Sequence, residues 1–254
     1  MKIFYFLFFM LLCTTGNAQY VKFATSGIIT YEKRANMYAI IKSNINKDNE
    51  TYMQKSFENY QKTQPQFKTS ISTLTFTQNQ SLYKPGENNE TVNNIFLFPA
   101  FEQNNLVYTD IASKISWSQK KVFEETFLVK DSLRNIKWKI TDETRNIAGY
   151  ECQRANAIIM DSIYVVAFYT DEIIATGGPE SFTGLPGMIL GIALPHEHVT
   201  WFATQVVDKP VALKELNPPI KGTPVNRNTL KNSLQNSFKN YNKFIQDALR
   251  FYLL

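Results

Sequence analysis

Apolar and polar positions change phase along this chain, and the phase predicts the elements. Residues 21–41 (VKFATSGIITYEKRANMYAII) alternate in places and are rich in β-branched and aromatic side chains, which predicts a long strand or a hairpin. Residues 48–63 behave differently. There Tyr52, Met53, Ser56, Phe57 and Tyr60 recur three and four apart among polar neighbours, the spacing of one helix face, and the helix is expected to end before Pro65. Alternation returns over 67–76 (FKTSISTLTF) as a strand. Residues 81–94, with Pro85-Gly86, read as a polar turn region, and 96–99 (FLFP) as a short apolar patch. Short strands are predicted at 106–108, 113–117, 122–129, 135–141, 152–160 and 163–170. Residues 188–193 and 199–207 read as a last hairpin around LPHEH.

Two patterns complete the chain. Residues 209–226 carry Pro210, Pro218, Pro219 and Pro224, which cannot donate to a strand ladder, so an extended connector is expected. After it, Leu230, Leu234, Phe238, Tyr241, Ile245, Ala248 and Tyr252 fall on one helical stripe, which predicts a long C-terminal helix packed by that stripe. The fold class implied is α+β and β-rich: a single curved antiparallel sheet, half-barrel-like, with an early helix and a long C-terminal helix.

The first residues alter the compartment. MKIFYFLFFMLLCTTGNAQ has one lysine, an apolar run from Ile3 to Cys13, and small polar residues ending at Ala18. That is the layout of a secretory signal, and the run is too short to span a bilayer. Cleavage is expected after Ala18, giving a signal at 1–18 and a single β-rich domain at 19–254. Lipidation at Cys13 would need a small residue before it, where Leu12 stands. Cys152 is then the only mature cysteine, so no internal disulfide forms and the fold rests on its core. The formal charge of +5 is spread along the chain without the Lys/Arg stripe of a nucleic-acid binder, so no nucleic acid is expected. Later apolar runs are all far shorter than a membrane span, so no transmembrane segment is expected in the mature chain.

Candidate chemistry is sparse. His196 and His198, at i and i+2 around Glu197, would point to one side of an extended segment and could share a metal with Cys152 or a carboxylate completing the set. They also read as the polar tip of a hairpin. Ser181 lies in GPESFTG, which does not match the G-x-S-x-G elbow of a hydrolase, and GLPG lacks the G-K-[ST] of a phosphate loop. Cys152 in a strand pattern reads as a buried small hydrophobe. No catalytic constellation is anchored, and no cofactor is expected.

The densest cluster of backbone-special residues is GPESFTGLPGMILG at 178–191. Glycines accept positive φ and prolines preset it, so Gly178, Pro179, Gly184, Pro186 and Gly187 fix one loop shape, with Phe182 and Leu185 free to tuck onto the sheet. This loop is either a rigid buried corner or a ligand or partner contact. Gly184-Leu185-Pro186-Gly187-Met188-Ile189 resembles the hexapeptide of the GLPGLI family of secreted bacterial envelope proteins, with Met188 in place of leucine. Trp138-Lys139-Ile140, the run IAGYECQRA at 147–155, Ala167-Phe168-Tyr169-Thr170 and Gly27-Ile28-Ile29-Thr30-Tyr31-Glu32 are similar to the family's spacing, with Phe168 where tryptophan is expected. The resemblance implies an exported location, in the periplasm or at the outer-membrane periphery, and a β-rich sheet. It implies no activity. The function expected is non-enzymatic: binding of a lipid or other hydrophobic ligand, or docking of an outer-membrane protein partner, through the sheet. The alternative is a metal-binding protein or metallohydrolase using His196 and His198.

Overall fold

The computed structural model describes residues 24–86, 101, 103–240 and 249–254. The expected signal, 1–18, and the apolar patch at 96–99 lie outside the described residues. In chain order the strands are β1 (Gly27–Asn36), β2 (Phe67–Phe76), β3 (Gln80–Pro85), β4 (Leu106–Asp110), β5 (Ile115–Val122), β6 (Glu125–Ser132), β7 (Lys139–Ile147), β8 (Tyr150–Ile159), β9 (Ile163–Thr170), β10 (Met188–Leu194), β11 (Val199–Asp208) and β12 (Thr223–Val225). They form one sheet in the order β12-β6-β5-β4-β3-β2-β1-β11-β10-β9-β8-β7. β1 is central, and two wings run out from it, one through β2 to β6 and the other from β11 back to β7. Every pair is antiparallel except β12 against β6.

Three helices are described: α1 (Met37–Ser43), α2 (Glu50–Thr63) and α3 (Arg227–Phe238). The expectation of strand through residue 41 is corrected by α1. The Asn36 side chain accepts a hydrogen bond from the Ala39 N–H at 3.2 Å, and Met37, Ile40 and Ile41 bury one face three and four residues apart. Likewise β3 replaces part of the expected turn region, because Leu82 and Tyr83 both bury, on opposite faces of the sheet.

The half-barrel-like antiparallel sheet with a long C-terminal helix is also corrected. The sheet is open, its ends being the three-residue β12 and the edge strand β7. The long helix is not shown. α3 runs twelve residues to Phe238, residues 241–248 lie outside the described set, and Arg250–Leu253 forms a 3-10 turn. The described members of the apolar stripe, Leu230, Leu234, Phe238 and Tyr252, pack with Leu249 on Val122, Phe127 and Val129, whereas Phe251 and Leu254, off the stripe, join the main core.

The main core lies on one face of the sheet. Ile29, Tyr31 and Ala35 of β1 meet Leu74 and Phe76 of β2, and Ile192, Leu194, Val199 and Trp201 of β10 and β11. Edge strand β7 is almost wholly exposed, charged at Lys139, Asp142, Glu143 and Arg145, and irregular between Ile140 and Thr144, which guards it against pairing with another chain.

The glycine-rich loop joins neighbours β9 and β10. Phe182 and Leu185 bury in the main core while Gly184 and Pro186 remain exposed. At Gly187 a Cβ would collide with the Thr170 carbonyl oxygen, so only glycine lets the loop return this close to the end of β9. Gly184 holds φ +95 beneath the Trp138 indole, whose Nε1–H donates to the Thr183 carbonyl at 2.9 Å. Gly187→Ala is expected to lower stability by about 1–3 kcal/mol, because the obstacle is backbone and cannot rotate away. Urea denaturation checks this, and a variant as stable as the parent contradicts it.

Candidate functional site

Buried strand positions are apolar across most of the main face, but β4, β5 and β6 add polar ones. Beside the buried Val107, Val122, Phe127 and Val129, the inward residues there include Thr109, Ser116, Ser118, Lys120 and the half-buried Asp131, set side by side by the pairings of Thr109 with Ser116 and of Ser116 with Asp131. The loop before β10 covers this polar patch with Glu180, Ser181 and Thr183, and residues Leu253 and Leu254 complete the cover. Glu180 takes φ +53, a left-handed backbone uncommon outside glycine, and its Oε2 accepts from the Asn105 amide at 2.9 Å. Ser181 Oγ donates to the Leu254 carbonyl at 2.6 Å. Arg134 Nη2 donates to the carbonyls of Leu253 at 2.6 Å and Leu254 at 3.3 Å.

Lysine is rarely buried, yet among the described residues Lys33 of β1, Lys68 of β2 and Lys120 of β5 all are. Lys33 donates to the carbonyls of Phe101 at 2.9 Å and Gln103 at 3.2 Å, and lies 5.1 Å from the Trp201 ring centre. The Lys120 ammonium is buried with no hydrogen-bond acceptor, beside a cavity of about 20 Å³. Burial is the largest cause lowering its pKa to about 8; Glu180 opposes, and Arg134, Arg227 and Lys33 add to the lowering. Burial and then Arg227 hold the Arg134 guanidinium down to about 10, against Asp131.

A larger cleft of about 630 Å³ adjoins this cavity, and Arg134, Arg227 and Leu253 line both. α3 and residues 249–253 form its walls with the β8–β9 turn at Met160 and Asp161. Among the described residues the cations Arg134, Arg227, Lys231, Lys239 and Arg250 line it, with the carboxylate of Asp161. Met160, Leu234, Leu249 and Leu253 supply apolar surface. The arrangement can hold a molecule with an apolar body and an anionic end.

The sequence-predicted residues fall elsewhere. Gly178, Pro179, Phe182, Leu185 and Gly187 are buried in the β9–β10 corner, and Gly184 and Pro186 sit at its surface. His196 lies in a 3-10 turn, Pro195–Glu197, with its ring 6.2 Å from that of Tyr164, and His198 follows with φ +56. Glu197 between them pairs with Arg250 at 3.1 Å. Cys152 is not brought to them. It lies near the Tyr169 end of β9, since Gln153 pairs with Tyr169, while the histidines cap the opposite end beside Tyr164. Burial, then Glu172, push its thiol up to about 12. No group of three or more His, Cys, Asp or Glu side chains placed to hold a metal occurs among the described residues.

The cations of the cleft come from separate segments, and sequence reasoning missed them. One signal was available. In β5 Lys120 shares its parity with Ser116, Ser118 and the buried Val122, and in β1 Lys33 shares that of Ile29, Tyr31 and Ala35. A lysine in the inward phase of a strand marks a polar site inside.

Residues 158–191, from the end of β8 through the glycine-rich loop into β10, match a family model described as Porph_ging, a protein of unknown function. That match does not carry the GLPGLI name. No curated protein matches the chain. Two solved structures of PNGF-II, in different space groups, are similar, with TM-scores of 0.51 and 0.50 and 17% identity in each case. The likeness covers 83% and 82% of this chain but 33% and 32% of those chains, so this chain spans about a third of their length. At that identity the likeness is one of fold. No helix among the described residues is long and apolar enough to cross a membrane.

At neutral pH the buried Lys120 ammonium lowers stability. As pH rises through about 8 the folded protein releases a proton that the unfolded chain keeps to 10.5, so this penalty is lost and stability rises across that window. A gain of roughly 2–3 kcal/mol is expected between the two ends of the window, and Lys120→Met is expected to flatten it. Urea denaturation on both sides of the window checks this, and an equal rise in the variant contradicts it.

Proposed function

We propose that the protein is a non-enzymatic exported envelope protein that binds a lipid-like ligand, and that the cleft beside α3 is its seat. The observation that carries the reading is the cleft itself, about 630 Å³ with apolar walls and a cationic rim. Small-molecule sites occupy roughly 300–1,000 Å³ and combine apolar walls with a few polar groups. The buried face of the sheet supports a seat elsewhere than against the strands. Phe182, Leu185, Trp201 and Phe251 fill it, and the cavity among the last of these and Lys33 is only about 10 Å³. The N-terminal charge and apolar pattern, together with the resemblance of 184–189 to the GLPGLI hexapeptide, supports export to the periplasm or the outer-membrane periphery.

Native mass spectrometry of the protein purified from the cell envelope without added lipid tests the reading. Discrete co-purified masses of lipid size are expected. A bare protein held in a stable complex with another envelope protein contradicts the ligand reading and favours docking instead.

A further inference from the structure

Building on the ligand-cleft reading, we propose that the anionic end of the ligand is a phosphate group, held by Arg134 and Arg227 with Lys231 and Arg250 at the rim. The neighbourhood is rich in donors and poor in acceptors. The Nε–H groups of Arg134 and Arg250 are buried without an acceptor, and so is the Lys120 ammonium in the adjoining cavity. A buried donor left unpaired costs free energy comparable to a lost hydrogen bond, more so when charged, so the two that border the cleft, on Arg134 and Arg250, call for a species that only accepts.

The chain's own carboxylates are engaged. Asp131 accepts from the backbone N–H groups of Arg227 at 3.0 Å and Ser132 at 2.8 Å, and Glu197 takes Arg250. Among the described residues that leaves Asp161, on the β8–β9 turn, as the carboxylate side chain lining the cleft beside Arg134, Arg227 and Lys231. Burial, and then the nearby Arg227 charge, disfavour the Arg134 cation. A carboxylate ligand brings one negative charge and two oxygens. A phosphate monoester brings nearly two charges and three strong acceptor oxygens, and a guanidinium fork matches that geometry. Leu234, Leu249 and Leu253 beside the cations suit a hydrocarbon attached to it.

The same monoester chemistry comes from a phosphatidic acid head or from a soluble phosphate monoester, and titration calorimetry separates them. The full chain, stripped of co-purified lipid, is titrated with inorganic phosphate, with phosphatidylcholine vesicles containing phosphatidic acid, and with phosphatidylcholine vesicles alone. Saturable binding of either phosphate probe is expected. Lys231→Glu should weaken it about tenfold, and the Arg227→Gln, Lys231→Glu double variant more, at an unchanged melting temperature. Lys231 is exposed, so its replacement leaves the fold intact. Lys62→Glu on α2, outside the cleft, should have no effect. Binding of the phosphatidic acid vesicles alone assigns a lipid head, and comparable binding of inorganic phosphate assigns a soluble ester.

Three results overturn the inference. If both vesicle types bind alike and the cleft variants change nothing, phosphate recognition falls while the lipid-cleft reading stands. If no probe binds, both fall. If Lys62→Glu weakens binding as much as Lys231→Glu, the attraction is diffuse charge and the cleft is not its seat.

Discussion

Backbone against backbone at Gly187 is the contact on which the rest is arranged. Because nothing larger than hydrogen fits against the Thr170 carbonyl, the loop leaving β9 must fold flat onto the sheet before β10 begins. Phe182 and Leu185 then enter the main core, and Trp138 fixes the loop from outside through the Thr183 carbonyl. The same geometry lays Glu180, Ser181 and Thr183 across β4, β5 and β6. A loop whose sequence advertises turns is thus a lid over the polar part of the sheet, and its side chains decide what charge is tolerated beneath.

What lies beneath is an imbalance of charge that the fold leaves open toward one side. Lys33 is satisfied by carbonyls and by aromatic faces, and Glu180 answers Asn105. Lys120 and Arg134 retain donors without acceptors, and Arg134 is shared by the closed cavity and the open cleft. The hairpin tip at His196-Glu197-His198 belongs to this scheme through Glu197, which steadies Arg250 at the rim, rather than through its imidazoles. Buried cations short of acceptors, next to a cleft lined by more cations and by leucines, are the features on which the proposed ligand binding rests.

The strands were legible because alternation is a local signal: residues 67–76 and 163–170 are strands to the residue. Other elements depended on facts that periodicity does not carry. Residues 37–43 have the composition of a strand, and the Asn36 cap turns them into a helix. β12 exists only because residues far along the chain run parallel to β6. The stripe at the C-terminal end looked like one helix because its spacing is regular, yet the described helix ends at Phe238, and Phe251 and Leu254, off the stripe, enter the main core. The cleft was the least legible part. Arg134, Arg227, Lys231 and Arg250 each read as an ordinary solvated charge, and only the sheet order and the packing of α3 bring them together. The histidine pair, by contrast, was conspicuous in sequence and is separated from Cys152 by the length of β9.

A crystal structure of protein isolated from the envelope, with no ligand added, addresses the central claim most directly. The account predicts continuous density in the cleft beside α3, with a tetrahedral oxyanion within hydrogen-bonding distance of Arg134 and Arg227 and a hydrocarbon tail along Leu234 and Leu249. A cleft holding only ordered water, or closed by the chain's own side chains with the Arg134 and Arg250 donors satisfied internally, would contradict it.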